Sequence, residues 1–94
     1  MIVSYCSRET GDFAAGRSVT AFVGIEHQAT KWLATLHAAP DLGTLRTLAS
    51  NRLEAMRGDL AGRYAIRIDP RWCLCFDWPL DQTGPSNVEI GADA

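Results

Sequence analysis

The chain lacks the features that would carry it into or across a membrane. Residues 1–10, MIVSYCSRET, hold no basic segment followed by an apolar run and a small-residue cleavage site, and no window approaches the roughly 20 apolar residues of a bilayer-spanning helix. A soluble cytoplasmic protein without a membrane partner is expected. Cysteine is also scarce. Three cysteines, an odd number, leave at least one thiol unpaired in any intramolecular scheme, which argues against a disulfide scaffold and fits a reducing compartment. There is no excess of positive charge either: a formal net charge of −2 supplies no general attraction to nucleic acid. Missing too are a CxxC pair, a glycine-rich phosphate loop behind a strand, a GxSxG elbow and an HExxH pair, so no metal and no cofactor is expected. Internal repeats, low-complexity tracts and linkers are absent from the pattern as well.

What is present suits one globular domain spanning residues 1–94. Apolar residues make up 47% and charged residues 21% of the chain, a balance that excludes a largely disordered polymer. At this length roughly 60–65% of the unfolded surface can be removed from water, enough for one modest core. The charges are unevenly placed. Arg46, Arg52, Arg57, Arg63, Arg67 and Arg71 fall within 26 positions that contain only Glu54, Asp59 and Asp69 as acids, so the middle of the chain is locally basic.

Ile2, Val3 and Tyr5 predict a short N-terminal strand, followed by a weak helix or loop to Gly16. Over residues 18–39, Ile25, Ala29, Trp32, Leu33 and Leu36 recur on one stripe of a helix. Pro40 stops that helix, because it lacks an amide proton and disfavours helical geometry in the residue before it. Asp41 is placed to cap a second helix, with Leu42, Leu45 and Leu48 as its apolar side. Beyond Ser50 the period changes to two. Residues 53–56 predict a strand, with a turn region at Gly58, Asp59 and Gly62. Tyr64, Ile66 and Ile68 alternate with Arg63, Ala65 and Arg67, while Trp72, Leu74, Phe76 and Trp78 alternate with Cys73, Cys75 and Asp77. The turn-prone Asp69-Pro70-Arg71 joins these two runs into a hairpin, and residues 88–90 form a last strand after a loop at 79–86. The expectation is an α+β domain, with an N-terminal strand and helices packed on one face of a C-terminal antiparallel sheet and the other face left for a ligand.

On that second face, Arg63 and Arg67 would stand near residue 73. Arginine brings a permanent charge and a planar fork of donors suited to phosphate oxygens, although exposed arginines also simply solubilise a sheet. Cys73 and Cys75 share the face, but no third ligand accompanies them, and small half-buried strand residues are the plainer reading. His27 and His37 are about 1000° of helical rotation apart, so they share no face and make no metal pair. Trp32, Trp72 and Trp78 are in phase with core residues, which favours packing over base stacking.

The stretch Asn51-Arg52-Leu53-Glu54-Ala55-Met56-Arg57-Gly58-Asp59, then Gly62-Arg63-Tyr64-Ala65-Ile66-Arg67-Ile68 and Trp72-Cys73-Leu74-Cys75-Phe76-Asp77-Trp78, resembles the HigB-like plasmid-maintenance killer toxins of the RelE/ParE superfamily. In that family a segment of the form NRLE or LHPLKGD leads through GQYSIRI to QWRICFxW and closes with NVEIVDYH, and Asn87-Val88-Glu89-Ile90 matches the ending. The resemblance implies a RelE-like fold, a tight complex with a helix-turn-helix (HigA-like) antitoxin, and metal-independent cleavage of mRNA on the ribosome. Such an enzyme activates the ribose 2′-hydroxyl, protonates the leaving 5′-oxygen and holds the developing charge with cations. Carried over by position, Arg57 stabilises that charge, Glu54 takes a base-like or orienting role, and Arg52, Arg63, Arg67 and Arg71 hold RNA.

Two departures bear on catalysis. Cys73 stands where the family has a strand arginine, and losing one preorganised charge donor costs roughly a hundred- to a thousandfold in rate. The ending Gly91-Ala92-Asp93-Ala94 replaces VDYH, without the Tyr and His that serve stacking and proton transfer. A toxin with impaired endoribonuclease activity is therefore expected. Its alternatives are a non-catalytic antitoxin-binding or autoregulatory protein and, fitting the motifs less well, a ParE-like gyrase inhibitor.

Overall fold

A computed structural model describes residues 1–56, 62–79 and 81–92 of the chain. Helix α1, Arg8–Ala14, begins where the Ser7 hydroxyl accepts the Thr10 amide at 3.2 Å, satisfying a donor that has no partner within the first helical turn. The long helix expected over residues 18–39 is shorter and broken. Thr20–Phe22 forms a 3-10 turn, Gly24 takes φ +99°, and α2 runs only over Glu26–Ala38. A residue at that φ cannot sit inside a right-handed helix, so Gly24 separates the two pieces. Helix α2 ends before Pro40. Asp41 then caps α3, Leu42–Ala49, by accepting the Thr44 amide at 2.7 Å. Along α3, Leu45 and Ala49 are buried while Leu48 is 54% exposed. Steps of three drift by about 60° each, so Leu48 has rotated off the stripe that Ala49 rejoins.

After a 3-10 turn at Ser50–Arg52, four strands follow: β1 Leu53–Ala55, β2 Arg63–Arg67, β3 Trp72–Asp77 and β4 Ser86–Ala92. All neighbours are antiparallel, in the order β1-β2-β3-β4. The hairpin turn is held by Asp69, whose Oδ1 accepts the amides of Arg71 and Trp72 at 2.7 and 2.8 Å. The turn expected at Gly58 and Asp59 lies outside the described residues; Gly62, at φ +92°, begins the return into β2.

The expected N-terminal strand is reduced to one parallel bridge, Tyr5 with Val88. The Val88 amide donates to Ser4 O at 3.1 Å and the Cys6 amide to Val88 O at 2.9 Å. Pairing stops there because α1 begins at Arg8, and the next outward amide of β4, that of Ile90, donates instead to the fully buried Thr10 hydroxyl at 2.9 Å. A side chain thus takes over from a strand in satisfying this edge.

The core lies between the sheet and helices α2 and α3. Trp32, Leu33, Leu36 and Leu45 meet Ile66, Leu74, Phe76, Val88 and Ile90, all at most 7% exposed. Trp78 is buried with them, and Trp72 meets the Phe22 ring edge-on at 5.6 Å. The molecule is an α+β fold with its helices on one side of an antiparallel sheet. Among the described residues, no helix is long and apolar enough to cross a membrane.

Candidate functional site

Strand alternation turns Arg63, Arg67, Cys73, Cys75, Asp77 and Glu89 to the face away from α2 and α3. Register sets them in rows. Glu54 of β1 pairs with Ala65, Ala65 with Cys75, and Cys75 with Glu89. One pleat along, Arg67 pairs with Cys73 and Cys73 with Gly91, while Arg63 pairs with Asp77. Glu54 and Cys73 therefore share the face without standing in the same row, and Arg67 is the guanidinium across from Cys73.

Arg63 is anchored on this face at three points. Its Nη1 lies 3.2 Å from Asp77 Oδ1 and its Nη2 2.9 Å from Glu89 Oε1, with Nη1 also 3.4 Å from the Asn87 carbonyl. Asn87, at φ +50°, in turn donates from Nδ2 to Asp77 Oδ2 at 2.8 Å. The Arg63 side chain is only 15% exposed. Burial by itself disfavours the charged guanidinium, but the hydrogen bond and attraction of Asp77, with Cys75 and Glu89 adding to them, hold it above its ordinary value. Arg63 thus ties β2, β3 and β4 together, and its charge is answered by two carboxylates. Counting Glu54 as well, the described face sets Arg63 and Arg67 against Glu54, Asp77 and Glu89.

The other sequence-predicted residues lie elsewhere. Arg57 is outside the described residues. Arg52 sits in the 3-10 turn, its Cζ 5.9 Å from the centre of the Trp32 ring and its Nη1 3.2 Å from the Arg67 carbonyl. Arg71 is exposed in the β2–β3 turn, and an Arg67 nitrogen reaches the Pro70 carbonyl at 3.5 Å. Both histidines are exposed on α2, and His37 Nδ1 accepts the Ile2 amide at 3.3 Å. None of Cys6, Cys73 and Cys75 is in a disulfide. Among the described residues, no group of three or more His, Cys, Asp or Glu side chains is placed to hold a metal ion.

Asp77 and Glu89 are the partners that sequence reasoning missed. Alternation assigns Asp77 to the face of Cys73 and Cys75, but its pairing with Arg63 depends on register, and register depends on a turn length that alternation does not contain. Compared with protein-family models and with curated proteins, the chain matches none.

Proposed function

We propose that this chain is a HigB-like member of the RelE/ParE toxin superfamily that binds a helix-turn-helix antitoxin and whose ribosome-dependent mRNA endonuclease chemistry is blunted. Of the residues that carry the resemblance, 53–55, 63–67, 72–77 and 87–90 lie on β1 to β4, and helices on one side of the sheet leave its other side for RNA, as such a reading requires. The observation that carries the blunting is the state of the catalytic face. Cys73 puts a short neutral thiol across from Arg67, and Arg63 is engaged by Asp77 and Glu89. A phosphate passing through two charges in the transition state would compete there with carboxylates for the same N–H donors. Glu54 remains as the carboxylate able to accept a 2′-hydroxyl proton.

The test is restoration. Cys73→Arg, made together with a Val-Asp-Tyr-His ending in place of Gly91-Ala92-Asp93-Ala94, should raise ribosome-dependent mRNA cleavage by about a hundredfold or more, the usual worth of one preorganised charge donor. A helix-turn-helix protein encoded beside this chain should co-elute with both versions and abolish growth arrest by the restored one. Absence of a complex together with absence of cleavage by Cys73→Arg would remove the proposal. A binding-only role is the second reading, favoured by the pairing of Arg63 with two carboxylates: it expects the complex to form and Cys73→Arg to remain inert.

A further inference from the structure

Two thiols share the open face of the sheet. Cys73 and Cys75 stand two positions apart on β3, so both project to the same side, with their Cα atoms roughly 6.6 Å apart along the pleat. Neither is in a disulfide, and both are half-buried rather than sealed in the core. The ladder is regular around them: Arg67 and Gly91 flank Cys73, and Ala65 and Glu89 flank Cys75. Ala65 and Gly91 carry little or no side chain to cover the sulfurs, and a Cβ built on Gly91 would meet no atom within 4 Å. The space beside Cys73 is therefore open, and rotation about each Cα–Cβ bond can lean the two sulfurs towards one another above the strand.

The donor set selects the ligand. Thiolate sulfur is a soft donor, and a structural zinc ion takes four ligands, a catalytic one three and a water. Among the described residues, no third His, Cys, Asp or Glu side chain is placed to complete such a group with these thiols. The Glu89 carboxylate across from Cys75 is held by Arg63 Nη2 at 2.9 Å. Two sulfurs are too few for zinc, but they fill the shell of a soft monovalent ion such as copper(I), which accepts two thiolates in a line.

Charge points the same way. Two thiolates around a monovalent cation leave one residual negative charge, which a cationic surrounding stabilises. Arg67 faces Cys73 across the β2–β3 ladder, and Cys75 adds to the attraction that keeps the Arg63 guanidinium charged.

We infer that Cys73 and Cys75 form a two-coordinate site for a soft monovalent metal ion of the copper(I) class. Each thiol gives its proton to solvent as its sulfur bonds the ion, and no electron is transferred. The inference stands on these thiols and their neighbours and not on the toxin reading, so the antitoxin experiment and the measurement below fail independently.

Competition for copper(I) with the chromogenic chelator bicinchoninate, in the absence of oxygen, tests it. The wild-type chain should withdraw one copper ion per chain, and so should Cys6→Ser, which removes the exposed thiol of the N-terminal segment. Cys73→Ser and Cys75→Ser should each weaken binding about a hundredfold or more, because the second sulfur otherwise binds intramolecularly. Thermal melts check that the variants fold. In the wild type, copper(I) should protect Cys73 and Cys75 from alkylation by iodoacetamide while Cys6 stays reactive, a result that needs no variant. Failure of the wild type to compete with the chelator, dependence on Cys6, one ion bridging two chains in native mass spectrometry, or unchanged affinity in either single variant at residues 73 and 75 would each overturn the assignment.

Discussion

Arg63 shows how one side chain can be read as a ligand and act as a clamp. Its two carboxylate partners lie on different strands, so Arg63→Gln is expected to loosen three strands at once, at a cost of roughly 1–2 kcal/mol in chemical denaturation. The figure stays modest because Asp77 and Glu89 are about a third exposed and screened by water. Replacing Asp77 and Glu89 by their amides in the same variant should recover part of the loss, since no carboxylate would then face an absent cation. Because the guanidinium is held above its ordinary value, its contribution is complete below that value and is lost only as pH rises past the folded one, beyond any working range. Thr10 offers a test of the buried hydroxyl that joins α1 to β4, whose Oγ1 accepts both the Ile90 amide at 2.9 Å and the Ser7 hydroxyl at 2.8 Å. Thr10→Val preserves shape but strands the buried Ile90 amide and should cost about 1–3 kcal/mol, with Thr10→Ser costing less. Asp41 acts in the acid range. The Thr44 amide holds its carboxyl below the usual carboxylate range, so the cap's contribution is present above that range and fades as pH falls through the lowered value. Amide exchange at Thr44 should accelerate in acid, and Asp41→Asn should flatten that dependence.

Elements differ in how far neighbouring residues determine them. The hairpin, the Pro40 stop and the Asp41 cap were legible because each rests on contacts within a few positions, where alternation, a missing amide proton or a side-chain acceptor suffices. The break in the second helix was legible in principle from Gly24, since the apolar stripe that predicts the helix begins only at Ile25 and gives no support to residues 18–24. In α3 the leucine spacing misassigned one side chain. Leu45→Ala should cost about 2–5 kcal/mol, whereas Leu48→Ala, on the exposed side, should stay within about 0.5. The arginine set divides in the same manner. That Arg63 and Arg67 share one face of β2 was readable, but whether each arginine meets a carboxylate, a ring or open water is decided by register and by helix placement. That is why Arg63 turned out to be paired, and why Arg46, absent from the expected RNA-binding set, lines a cleft between α3 and β1.

At the scale of the molecule, the decisive long-range association is between residues 3–10 and residues 85–90. Val3 donates to the Pro85 carbonyl, residues 4 and 6 bracket Val88, and Thr10 receives Ile90. These unions span about 80 positions, and closing loops of that length is what makes non-local topologies slow to form. During translation this gives the chain a timetable. Residues 3–10 leave the ribosome well before residues 85–90 and stay without these partners until that later segment has appeared. Stalled nascent chains exposing only residues 1–84 should be cut readily by protease, and resistance should arise once residue 92 has emerged.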